Sequence, residues 1–305
     1  MASNTKEIAA DMTPFFVIYK DGSINRFHPE ENAPLCDDPQ APVRSKDVVI
    51  QPETGVSVRL FLPQITDPKQ KIPVVIYIHG GAFCIGSARS PPFHNFISSL
   101  VKKANCIAVS VDYRLAPENP IDTTYDDSWA AFQWVLSHVN GEGPDSWLNN
   151  HADLTKLFIG GESAGANIAN DVAVRAGVTE LDSKIRILGL FLVHPYFGIE
   201  NDPLYKALCP TSTGGSFEDP RVNPLLDPRL KSMACKKVLF FVAEKDFLKE
   251  GEMNYYEGLK KSEWKGGVEL METKREGHCF HFYNPMSEKA VALVNKLVDF
   301  LKQEY

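Results

Sequence analysis

A chain of 305 residues with 44% hydrophobic and 23% charged residues has room for one large α/β domain or two small ones and the composition of an ordinary soluble globular protein. A formal net charge of −7 and a pI near 5.7 exclude a nucleic-acid footprint, which needs clustered Lys and Arg. No stretch reaches the roughly eighteen apolar residues of a membrane span. The start, Met1-Ala2-Ser3-Asn4-Thr5-Lys6-Glu7, has no basic segment followed by an apolar run, so a cytoplasmic protein without a membrane partner is expected.

Residues 4–12 read as a short polar, helical arm. Residues 15–19 and 24–27 are strand-like runs around Asp21-Gly22, the grammar of a β-hairpin. A proline-rich, charged stretch over 28–43 reads as an exposed connector. Residues 47–51 and 56–62 predict two antiparallel strands, and 73–78 is a continuous apolar run, as expected of a strand buried on both faces. Helical spacing over 93–104, an apolar strand over 106–111 and a helix over about 125–139 follow. Strands are predicted at 156–159, 187–193, 238–242 and 268–272, with helices at 164–177, 252–261 and 286–302. This alternation argues for a mostly parallel sheet covered on both sides. Six cysteines lie far apart without a C-x-x-C pair, so buried thiols are expected, with no metal and no cofactor.

The chemistry centres on Gly161-Glu162-Ser163-Ala164-Gly165, placed between an apolar strand and a small-residue helix. A sharp strand-to-helix turn strains the serine backbone and leaves no room for side chains at its flanks, which suits a nucleophile at Ser163. A serine hydroxyl needs a base, and the base needs an orienting partner. Asp246 leaves the sheet after 238–242, and His278 after 268–272, so both reach the same carboxyl edge as Ser163. The order is Ser, Asp, His. Glu244 is the rival carboxylate and His281 the rival imidazole; Asp246 also fits a helix N-cap. Backbone N–H groups of Gly80 and Gly81 in His79-Gly80-Gly81-Ala82, joined by that of Ala164, are the expected donors to an oxyanion, with His79 holding the loop.

Taken together, His79-Gly80-Gly81-Ala82-Phe83-Cys84, Asp112-Tyr113-Arg114-Leu115-Ala116-Pro117-Glu118, Tyr125-Asp126-Asp127-Ser128-Trp129 and the Ser163 motif resemble the plant carboxylesterases of the hormone-sensitive-lipase group. The resemblance spans nearly the whole chain. It implies a single α/β-hydrolase domain over 1–305, a cap formed partly by an arm over 1–45, and hydrolysis of small-molecule esters through an acyl-enzyme by a monomer or homodimer. The group also holds lyases and cyclases of plant specialised metabolism that use the same cleft. A hormone receptor in it, the gibberellin receptor, lacks the histidine that stands here as His278. Two departures stand out: Ile121-Asp122-Thr123-Thr124 alters what reads as a surface loop, and about 196–223 is a shortened cap segment.

Overall fold

The computed structural model describes residues 6–28, 31–199, 202–209 and 217–303. A small antiparallel sheet is built from β1 (Ile8–Met12), β2 (Phe16–Tyr19) and β3 (Ile24–Arg26). The 15–27 hairpin is therefore as expected, but residues 8–12 are a strand and not a helix. So short a segment nucleates a helix poorly, whereas pairing Ile8 through Met12 against Tyr19 through Phe16 satisfies its backbone groups. Residues 4 and 5 of the expected arm lie outside the described residues.

The main sheet has eight strands in the order β11-β10-β9-β8-β6-β7-β5-β4. They are β4 (Val43–Gln51), β5 (Val56–Pro63), β6 (Ile72–Ile78), β7 (Ile107–Asp112), β8 (Ala152–Glu162), β9 (Ile187–Val193), β10 (Lys237–Ala243) and β11 (Gly267–Thr273). β4 and β5 pair antiparallel, as does β5 with β7; the other pairings are parallel. The helices are α1 (Pro91–Ala104), α2 (Ile121–Leu136), α3 (Ser146–His151), α4 (Ala164–Gly177), α5 (Pro203–Leu208), α6 (Lys249–Lys261), α7 (Phe280–Tyr283) and α8 (Glu288–Lys302). Because side chains alternate along a strand, β6 feeds two cores. Val74, Ile76 and Ile78 pack on the face covered by α2, α4 and α6, while Val75 and Tyr77 pack on the face covered by α1 and α8. This is the mostly parallel sheet covered on both sides that the strand-helix alternation predicts, and it matches the α/β-hydrolase fold that the resemblance implies.

The open edge of the sheet is guarded by charge. Glu269 on β11 pairs with Lys237 and Lys296, and Glu272 with Lys249 and Lys274, which blunts the strand against pairing with another chain. At the other side of the molecule, Arg26 of β3 fixes the small sheet to the large one. Its Nε donates to the Cys84 carbonyl at 2.8 Å and Nη2 to the Ala116 carbonyl at 3.0 Å, while the guanidinium forks onto Glu118. Arg26→Ala is expected to cost about 2 kcal/mol, the usual scale for hydrogen bonds to a charged group. It should also expose residues 6–28 to several-fold faster limited proteolysis, and urea midpoints with unchanged digestion would reject this clamp.

Local chemistry sets the helix starts that periodicity misplaced. α2 begins at Ile121, directly after Pro120, with Ile121 and Thr124 buried, so the altered 121–124 stretch is a helix turn and not a surface loop. The short α3 and α5 are each started by an aspartate. Asp145 accepts from Trp147 N at 2.8 Å, and Asp202 from Leu204 N at 2.8 Å. Of the 196–223 segment, residues 200–201 and 210–216 lie outside the described residues. No helix among the described residues is long and apolar enough to cross a membrane.

Candidate active site

β8 ends at Glu162 and α4 begins at Ala164, leaving Ser163 alone at the corner with φ 52° and ψ −123°. Such a backbone persists only if its surroundings impose it. Here the Ser163 N–H donates to the Val193 carbonyl at 2.9 Å, and the Ser163 carbonyl accepts from Ala166, Asn167 and Tyr196. The flanking glycines are required by crowding. A Cβ on Gly161 would sit 2.3 Å from the Ile78 carbonyl oxygen, and one on Gly165 would sit 2.1 Å from the same atom. Glycine is thus the residue that lets the end of β6 pass against the corner.

The loops after β10 and β11 bring the other two groups in. His278 Nε2 lies 2.9 Å from Ser163 Oγ, and His278 Nδ1 lies 2.8 Å from Asp246 Oδ2. Asp246 is not the N-cap that its position also suggested: α6 is preceded by Leu248 at that place, and the Asp246 Oδ1 closes the turn before it by accepting from Leu248 N at 2.9 Å, while Oδ2 holds the imidazole. The two loops are tied by Lys245 N donating to the Glu276 carbonyl at 2.8 Å. Glu244 is elsewhere, accepting from Arg275 N. His281 is buried against Phe96 and Phe282, and burial, helped by His278, pushes its pKa down to about 3. It is therefore a neutral packing residue at physiological pH. His79 is likewise structural: it is buried, with Nδ1 2.7 Å from the Gly80 carbonyl, and stacks on Tyr113 and Phe93.

One expected donor is not where the sequence suggested. The Gly80 N–H is donated to Glu162 Oε1, so it is already bonded and does not face a substrate oxygen. Downstream, Gly81, Ala82 and Phe83 have φ values of 110°, 51° and 62°. Among the described residues no backbone or side-chain group accepts from the N–H of Gly81, Ala82 or Ala164. Glu162, to which the serine motif assigns no role, is thus part of the site. The available signal was a carboxylate at the end of an otherwise apolar strand. Burial lifts its pKa to about 8, against the opposing pull of its bonds to the Tyr77 hydroxyl and Gly80 N–H.

His278 and Ser163 open into a cleft of about 490 Å³. Its walls come from Phe15 of the N-terminal sheet, Phe93 of α1, Tyr196 and Leu204 of the 196–209 segment, and Phe247 and Phe282 beside His278. Asn167 positions the third wall: its Nδ2 donates to the Tyr196 carbonyl at 2.8 Å and to the Arg221 carbonyl at 2.6 Å. No Lys or Arg among the described residues lines the cleft, and the Asp202 carboxylate there is occupied by Tyr196 and the start of α5. His194, His278 and Cys279 offer donor atoms within 4.8 Å of one another. Both His278 nitrogens are committed to Ser163 and Asp246, so a metal ion there would have to break that chain.

Comparison with known proteins agrees with this architecture. The alpha/beta hydrolase fold family matches residues 75–282. "Probable carboxylesterase 13" of Arabidopsis thaliana is 42% identical, the alignment covering 97% of this chain and 98% of the relative. "Tuliposide A-converting enzyme 1, chloroplastic" of Tulipa gesneriana is 42% identical, covering 98% of this chain and 79% of that one. Among solved structures, a hyperthermophilic esterase from Pyrobaculum calidifontis superposes with a TM-score of 0.67 at 24% identity, covering 85% of each chain. Carboxyl esterase 2 of Tuber melanosporum gives 0.69 at 19% identity, with 88% and 89% covered.

Proposed function

The chain belongs to the α/β-hydrolase fold family and, within it, to the plant carboxylesterases, and from its standing as a carboxylic ester hydrolase we propose that it works through an acyl-enzyme on Ser163. The observation that carries this reading is the unbroken hydrogen-bonded chain from Ser163 through His278 to Asp246 at the floor of the cleft. His278 Nε2 takes the Oγ proton as Oγ attacks the ester carbon. The oxyanion that forms is held by the N–H groups of Gly81, Ala82 and Ala164, worth about 3 kcal/mol of barrier per donor. Collapse expels the alcohol oxygen, which receives the proton from His278. Water then repeats the sequence on the acyl-serine and releases the acid. Asp246 keeps the imidazole in the tautomer that presents a free lone pair to Ser163.

The cleft walls narrow the substrate. Aromatic rings in the walls and no Lys or Arg among the described lining residues favour a neutral small-molecule ester with an apolar or aromatic group, and disfavour one bearing a free carboxylate. A fluorophosphonate probe is expected to add once, on the peptide that carries Ser163. Undiminished turnover with Ser163 unlabelled would reject the acyl-enzyme.

Relatives known as converting enzymes favour a second reading, in which His278 is a general base on a bound metabolite and Ser163 is never acylated. Reaction in H2¹⁸O separates the two: hydrolysis places ¹⁸O in the acid product, elimination or cyclisation does not.

A further inference from the structure

Glu162 stands next to the nucleophile and is only 1% exposed. A carboxylate in such a place is costly unless its oxygens are bonded, and both are. One accepts from the Gly80 N–H and the other from the hydroxyl of Tyr77. Tyr77 lies on β6 and Gly80 just beyond its end, so one side chain fastens the exit of β6 to the end of the strand that presents Ser163. The two are already in contact: a Cβ on Gly80 would lie 2.7 Å from the Glu162 carbonyl oxygen and 3.0 Å from Ser163 Cβ.

Immediately after this anchor come three consecutive residues in the left-handed region, Gly81, Ala82 and Phe83, two of them not glycine. Such a run is unfavourable unless held from both ends. Its far end is held by Cys84 N and Ile85 N, which donate to the Gly81 carbonyl at 3.0 and 2.9 Å. Its near end is held by Glu162. We propose that Glu162 is a positioning residue, whose bond to the Gly80 N–H sets the Gly81 and Ala82 amides at the distance from Ser163 Oγ that a tetrahedral oxyanion requires. The inference rests on the acyl-enzyme reading above. Both Glu162 oxygens are taken up by Gly80 and Tyr77, so its effect runs through the peptide planes that follow Gly80.

The test compares Glu162→Gln and Tyr77→Phe with the parent enzyme. The readouts are kcat, KM and the inhibition constant of a trifluoromethyl ketone matched to the acyl half of a turned-over ester, with the corresponding methyl ketone as control. The trifluoromethyl ketone adds to serine and mimics the oxyanion; KM reports the ground state. For Glu162→Gln, kcat should fall ten- to a hundredfold with KM within about threefold, and the ketone should weaken by the same factor as kcat/KM. Tyr77→Phe leaves the carboxylate in place but frees it to move, and should shift both in the same direction by up to about tenfold. A purely structural role would lower the melting temperature without coupling kcat to ketone affinity. Folded variants that keep both kcat and ketone affinity overturn the inference; should Glu162→Gln fail to fold, Tyr77→Phe decides by the same comparison. A parent enzyme that binds the trifluoromethyl ketone no better than the methyl ketone overturns the acyl-enzyme reading, and this inference with it.

Discussion

Ser163→Ala is expected to lower ester turnover by about 10⁴- to 10⁶-fold, the scale on which loss of a serine nucleophile falls. The substitution removes one atom, Oγ, and keeps the Cβ. The corner at φ 52° is imposed by bonds to the backbone N–H and carbonyl of residue 163, and these do not involve the hydroxyl. The folded state and the cleft should therefore survive, and binding of a product acid or alcohol should change little. Steady-state turnover of p-nitrophenyl acetate, with a binding measurement on the same preparation, checks both halves. Activity within tenfold of the parent in a properly folded variant would remove Ser163 from the chemistry.

Glu252→Gln should make the protein more stable, and more so as pH rises. Glu252 lies on α6, is fully buried, and neither carboxylate oxygen has a hydrogen-bond partner among the described residues. Burial first, and the nearby Asp246 second, push its pKa from the ordinary 4.5 up to about 10. The native state thus keeps a proton that the unfolded chain releases once pH exceeds the ordinary value. Stability from this group is whole below that value and drains away at roughly 1.4 kcal/mol per pH unit until the native carboxyl itself ionises. At pH 7 the loss is on the order of 3 kcal/mol. Glutamine keeps the shape and the buried polarity but has no proton to release. Urea midpoints at pH 5, 7 and 9 should show a gap between variant and parent that is small at the first and widens at the others. A gap that stays constant with pH would show that Glu252 is already ionised in the folded protein.

Placement is legible in the sequence where it depends on local order along the chain. Ser163, Asp246 and His278 each follow an apolar run, and parallel strands deliver whatever follows them to one edge, so their meeting was foreseeable from position alone. It is not legible where a long-range partner decides. Gly80 reads as a free donor because nothing near it in sequence announces that a carboxylate from position 162 will claim its N–H. Residues 8–12 were misassigned because an edge strand's stability lies in the hairpin it joins, and not in its own pattern. The start of α2 and the existence of α3 and α5 hinge on Pro120, Asp145 and Asp202, cues that weigh little beside the periodicity of longer helices.

The walls of the cleft are contributed by Phe15 near the front of the chain, Phe93 on a helix, Tyr196 and Leu204 in mid-chain, and Phe247 and Phe282 towards its end. Ser163, Asp246 and His278, the proposed reacting groups, follow the ends of buried strands. Selectivity is therefore separable from reactivity: substitutions at Phe15 or Leu204, neither of which holds the Ser163 corner, should redirect which ester is accepted while leaving the bond-breaking apparatus in working order.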